Sequence, residues 1–122
     1  MKPILMATLI AIASVIANAE ASSVAGEWQI ERSAVGNASK QTCTFTQQGS
    51  ELAGNCTASA GTASLTGKVD GKTITWTYKS DSQGGPVTVV YNGTLDSDSQ
   101  MTGTVTAVEF SIQGEFTAKR AK

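Results

Sequence analysis

Few side chains in this sequence are of types that do chemistry. There are two cysteines, Cys43 and Cys56, two tyrosines, Tyr78 and Tyr91, two tryptophans, Trp28 and Trp76, and no histidine. Without histidine a Ser-His-Asp triad is excluded, and two cysteines alone make a poor zinc site. The sequence holds no P-loop, no dinucleotide fingerprint and no EF-hand loop. Neither a cofactor nor a metal is expected. General acid–base catalysis needs a positioned titratable group, and only the tyrosines and Arg120 qualify as interior candidates. The chain is therefore expected not to be an enzyme. A small-barrel cyclase or isomerase, working by shaping an apolar substrate, is the catalytic alternative.

Cys43 and Cys56 lie almost symmetrically about Gly49-Ser50, so a hairpin there would set them opposite each other. Both share a phase with Phe45, Leu52 and Gly54. In an oxidising compartment they are expected to form a disulfide, closing a short loop worth ~2–3 kcal/mol. A catalytic or metal-binding pair is the sharper, weaker alternative.

These residues must be positioned by strands. Apolar and polar residues alternate strictly, as in Thr73-Ile74-Thr75-Trp76-Thr77-Tyr78 and Met101-Thr102-Gly103-Thr104-Val105-Thr106. That period of two gives a β-strand one dry and one wet face. Eight strands are predicted, over 27–32, 40–47, 51–57, 62–69, 72–80, 87–95, 100–106 and 109–119, with 33–39 a mobile loop. Asp70-Gly71 is a strong hairpin signal. Short connections favour up-and-down order, and eight such strands can close into an antiparallel all-β barrel with no exposed edge. A two-sheet sandwich is the alternative.

The phase defines an inward set: Trp28, Ile30, Phe45, Leu52, Leu65, Val69, Ile74, Trp76, Tyr78, Val87, Val89, Tyr91, Met101, Val105, Phe110, Ile112 and Phe116. Arg120 is read as the only charge in phase with the interior. In a closed barrel the first and last strands are neighbours, so Trp28 and Arg120 should meet at one end in a cation–π contact worth ~0.5–2 kcal/mol. Lys119 is the partner if the phase slips by one. An apolar-x-Gly motif recurs, ending at Gly54, Gly67, Gly93, Gly103 and Gly114. Inward glycines let strands coil tightly; they also leave space that a ligand could use.

The ends bound the domain. Lys2, the apolar run 4–16 and Ala17-Asn18-Ala19 read as a secretory signal over 1–19. The apolar run is shorter than the ~20 residues of a spanning helix, so no membrane span is expected after cleavage. Residues 20–122 form one domain, periplasmic or secreted. The whole chain carries 9 Lys and Arg against 10 Asp and Glu, a net charge of −1. With no basic patch, nucleic acid is a poor candidate partner.

Gly26-x-Trp28 at the start of the first strand, with Arg120 at the end of the last, resembles the calycin signature shared by lipocalins and avidins. That resemblance implies a barrel holding a small ligand in its interior. Gly26-Glu27-Trp28 followed by Cys43 and Cys56 is also similar to periplasmic inhibitors of secreted metalloproteases. Those are small eight-stranded barrels with one disulfide, and they insert a free N-terminal arm into the protease cleft. The arm here would be residues 20–25. The leading expectation is a binding barrel for a small, largely apolar molecule, lined by Trp76, Tyr78 and Tyr91. Inhibition of a secreted protease is the alternative. A purely structural envelope protein with a threonine-rich exterior is a third.

Overall fold

Alternating threonine, β-branched and aromatic residues suit a pleated surface buried on one side. The chain presents that pattern eight times. The computed structural model describes residues 22–34, 36–59, 61–82 and 85–121. In it β1 (Gly26–Ala34), β2 (Asn37–Gln48), β3 (Glu51–Ala58) and β4 (Gly61–Asp70) follow one another. They are succeeded by β5 (Thr73–Ser82), β6 (Gly85–Ser97), β7 (Gln100–Ala107) and β8 (Ile112–Arg120). Each strand pairs antiparallel with the one before it, and β8 returns to β1, so the sheet is a closed barrel in the expected order. Closure leaves no strand with a free row of backbone donors and acceptors. The predicted signal, 1–19, lies outside the described residues. Among the described residues no helix is long and apolar enough to cross a membrane.

Register follows from the hairpins. The β2–β3 ladder sets Cys43 directly opposite Cys56, and the two are bonded. The closing ladder sets Trp28 opposite Arg120 and runs on to Ser33 opposite Glu115. Inward glycines let neighbouring strands approach closely. A Cβ added to Gly54 would lie 1.9 Å from the Thr44 carbonyl oxygen, and one on Gly103 would lie 1.9 Å from that of Asn92. The room at these positions is filled by the neighbouring strand's backbone, so it is not ligand space.

Fifteen of the seventeen residues expected inside are buried. Phe110 and Ile112 are not, because the strand is broken just before them. Val108–Phe110 form one turn of 3-10 helix, and Ser111 adopts a left-handed conformation with φ 55°. Phe110 is consequently 44% exposed, and Val108 50%, while Ile112 is half-buried. This turn is fastened to β6, since both the backbone N–H and the hydroxyl of Thr88 donate to the Glu109 carboxylate. Those bonds hold the carboxyl below its ordinary range. The segment 33–39 is also not the expected loop. The β1–β2 ladder continues through it to Ala34 opposite Asn37. Its small polar residues reflect strands that project past the core, where neither face needs to be dry.

One end of the barrel is shut. Val24 is fully buried beneath it. Its carbonyl accepts from Trp28 Nε1 at 2.9 Å, and its N–H donates to Gln47 Oε1 at 2.8 Å. Arg120 lies over the Trp28 ring, 4.7 Å from its centroid, as expected. It also donates to the carbonyls of Ala25, Ser23 and Asp98. Residues 22–25 are thus tied to the floor. The free arm that the inhibitor alternative requires is not free over these residues.

Candidate functional site

The alternation that buries Trp28 and Ile30 carries one step further along β1, to Arg32. This corrects the expectation that Arg120 is the only charge in phase with the interior. Arg32 is tolerated there because it stands near the open end, where a half-buried guanidinium keeps access to water. Gln41 reaches the interior in the same way from β2, in phase with Cys43 and Phe45, and is 5% exposed.

Four side chains from four strands converge. Arg32 Nη1 donates to the hydroxyls of Tyr78 on β5 (2.9 Å) and Tyr91 on β6 (2.7 Å). Its Nε donates to Ser39 Oγ at 2.8 Å. Gln41 Nε2 donates to Tyr78 Oη at 3.1 Å. Gln41 Oε1 accepts from Tyr91 Oη at 2.5 Å and lies 3.3 Å from Tyr78 Oη. The tyrosine hydroxyls are therefore held inside by a buried network, not placed at a wet rim.

Beneath the network is an aromatic stack. Trp76 lies parallel to Tyr91 with centroids 4.6 Å apart, and Phe45 and Phe116 meet Trp76 edge-on at 5.0 and 5.5 Å. Such pairs add ~0.5–1.5 kcal/mol each beyond the area they bury. Trp76 Nε1 is buried and has no hydrogen-bond partner among the described residues.

Above the network a cavity of about 280 Å³ opens between β1, β2, β3, β4 and β5. Arg32, Gln41, Tyr78, Ala63, Cys56 and Lys79 are among its lining residues, and no carboxylate is among the described ones. Of the three residues expected to meet a ligand, Tyr78 lines this cavity. Trp76 and Tyr91 are fully buried below it and form its packed support. The sequence reading missed Arg32 and Gln41; their shared phase with Trp28 and Phe45 was the available signal. A larger depression, about 580 Å³, is lined by Glu31, Glu115 and several threonines together with Arg32, Gly103 and Phe116.

Electrostatics fix the protonation of the network. Burial pushes the Tyr91 hydroxyl well above its ordinary value of 10.0; the neighbouring Tyr78 adds to the shift, and Arg32 only partly opposes it. For Arg32, burial works against the charge, but the oxygens of Tyr91 and Tyr78 outweigh it and the guanidinium is held charged more firmly than usual. The network therefore holds a positive charge on Arg32 beside a Tyr91 hydroxyl that keeps its proton.

No protein-family model matches this chain, and no curated protein matches its sequence. Solved structures do resemble it. A redesigned β-barrel, b11L5F_LGL, is 20% identical with a TM-score of 0.63, covering 81% of this chain and 92% of that one. A second redesigned barrel, mFAP1, bound to DFHBI, is 21% identical at a TM-score of 0.59, covering 80% and 94%. A third, mFAP0, also bound to DFHBI, is 24% identical at 0.55, covering 80% and 98%. At these identities the likeness is one of fold.

Proposed function

We propose that this protein is an exported binding barrel that takes a small, largely apolar molecule into the cavity above the aromatic stack. The observation that carries this reading is the pairing of that cavity with the Arg32–Gln41–Tyr78–Tyr91 network. Ligand sites are typically concave and mostly apolar, with a few convergent polar groups to fix orientation. That two barrels of similar fold are bound to DFHBI supports the idea that this architecture can host a small molecule. The disulfide and the N-terminal sequence support export to the periplasm or beyond. Binding is favoured over catalysis because burial moves the Tyr91 hydroxyl away from neutrality, the wrong direction for an acid or base working near pH 7.

Native mass spectrometry of the protein purified from its own host tests this. A co-purifying small molecule, released on denaturation and able on re-addition to quench Trp76 emission, is the expected result. A bare chain, whose tryptophan emission stays unchanged across a panel of small apolar compounds at millimolar concentration, would overturn it.

A further inference from the structure

Counting donors and acceptors sharpens what the cavity takes. A guanidinium has five N–H groups and no acceptor, and a carboxamide has two N–H groups and two lone pairs on oxygen. Arg32 spends one N–H on Ser39 and two on the tyrosines, all through Nε and Nη1. Its Nη2 amino group donates to no protein atom among the described residues. Gln41 Nε2 spends one N–H on Tyr78, while Gln41 Oε1 is taken up by the two hydroxyls. Arg32 and Gln41, which both line the cavity, thus keep three donors with no protein acceptor among the described residues, two on Arg32 and one on Gln41.

The charge count points the same way. Arg32's hydrogen-bond partners are all neutral, and the ion pair among the described residues, Lys40 with Glu31, lies elsewhere on the exposed surface. No carboxylate among the described residues lies within ion-pair distance of Arg32; a half-buried charge is costly, and an anion brought against it recovers part of that cost.

Resting on the binding reading above, we infer that the ligand is a small monocarboxylate, its two oxygens received by Arg32 Nη2 and Gln41 Nε2 and its apolar body lying in the cavity. One planar anion matches one guanidinium in charge and shape. A phosphate monoester, at roughly −1.5 to −2 near pH 7, carries more charge than Arg32 alone offsets, and the other lining cation, Lys79, is exposed to solvent. The cavity holds about nine waters' worth of liquid volume at ~30 Å³ each, which suits a one- or two-ring body.

The test uses three probes on one scaffold, 2-naphthoate, 2-naphthamide and 2-naphthyl phosphate, with affinities read by isothermal titration calorimetry. The native chain should bind naphthoate at least tenfold more tightly than either of the others. Arg32→Gln should lower naphthoate to the naphthamide value and leave naphthamide where it was. Equal affinity for naphthoate and naphthamide, or tighter binding of the phosphate, overturns the carboxylate inference and leaves the binding reading standing. No binding of any probe at millimolar concentration overturns both. Arg32 braces two tyrosines, so the native chain supplies a second arm that does not depend on the folding of Arg32→Gln. Arg32 and Tyr91, both with raised values, keep their protons between pH 3 and pH 7. With folding followed by circular dichroism, the preference for naphthoate should vanish as pH falls through the ligand's own carboxyl range, near ~4. A preference that persists in the folded chain below that pH also overturns the inference.

Discussion

Tyr91 shows how much can depend on one oxygen atom. Its hydroxyl accepts from Arg32 and donates to Gln41, and the ring is wholly buried on Trp76. Tyr91→Phe keeps the stack and strands both partners, which should cost ~1–3 kcal/mol in urea unfolding. Tyr91 also sets an alkaline limit. Below pH 10 the folded and unfolded chains both hold its proton. Above it the unfolded chain releases the proton while the folded chain, with its raised value, does not. Stability therefore falls as pH rises, by up to ~1.4 kcal/mol per pH unit from this group. Tyr91→Phe should flatten that decline; an unchanged alkaline slope in the variant would refute the assignment. At this scale the sequence was only half legible. Tyr78 and Tyr91 announced themselves as inward by phase, but Arg32 and Gln41 did not, because a polar residue at an inward position reads as the end of the apolar pattern. What distinguishes them is the network partner on a distant strand, and pairing across 46 or 59 residues of sequence is set by barrel closure.

Strands and their corners were the most readable part. Alternation alone places fifteen residues correctly inside, and the hairpin around Gly49 aligns the cysteines without further information. It failed where local geometry breaks the period: the turn at Val108–Phe110 interrupts the phase, and the projecting ends of β1 and β2 have no dry face to reveal them. The recurrent glycines carry a prediction at this scale. Gly49 has φ 61° and nothing within 4 Å of an added Cβ, so Gly49→Ala should cost about 1–2 kcal/mol of left-handed strain and no more. At Gly103 the added Cβ would lie 1.9 Å from Asn92 O and 2.6 Å from Gly93 Cα, both backbone atoms of β6. Relief requires β6 and β7 to move apart, so Gly103→Ala should cost ~3 kcal/mol or more, at or beyond the upper range of overpacking. Thermal denaturation of the pair should rank Gly103→Ala well below Gly49→Ala. The reverse order would mean the corner is softer than its geometry.

The molecule as a whole is polar in the directional sense: shut at one end, with a cavity at the other. β1 spans the two, from Trp28 on the floor to Arg32 at the cavity, four residues or about 13 Å along the strand. Two arginines do opposite tasks at these ends. Arg120 spends its donors on carbonyls of the N-terminal segment and of the β6–β7 turn and lies on Trp28, so its bonding is met within the protein. Arg32, which lines the cavity, keeps an amino group that donates to no protein atom among the described residues. Closure by the rigid β1–β8 ladder separates the two functions, since loosening the floor need not reach the network. Arg120→Ala should lose the cation–π contact and three hydrogen bonds; because the side chain is partly exposed, ~1–3 kcal/mol is the expected cost. Trp28 emission should shift to the red as residues 22–25 lift away and admit water. Naphthoate affinity at temperatures where the variant stays folded should be within twofold of the native value. A large loss of affinity in Arg120→Ala would mean that floor and mouth are coupled through the aromatic stack, and that the barrel responds to its ligand as one body from end to end.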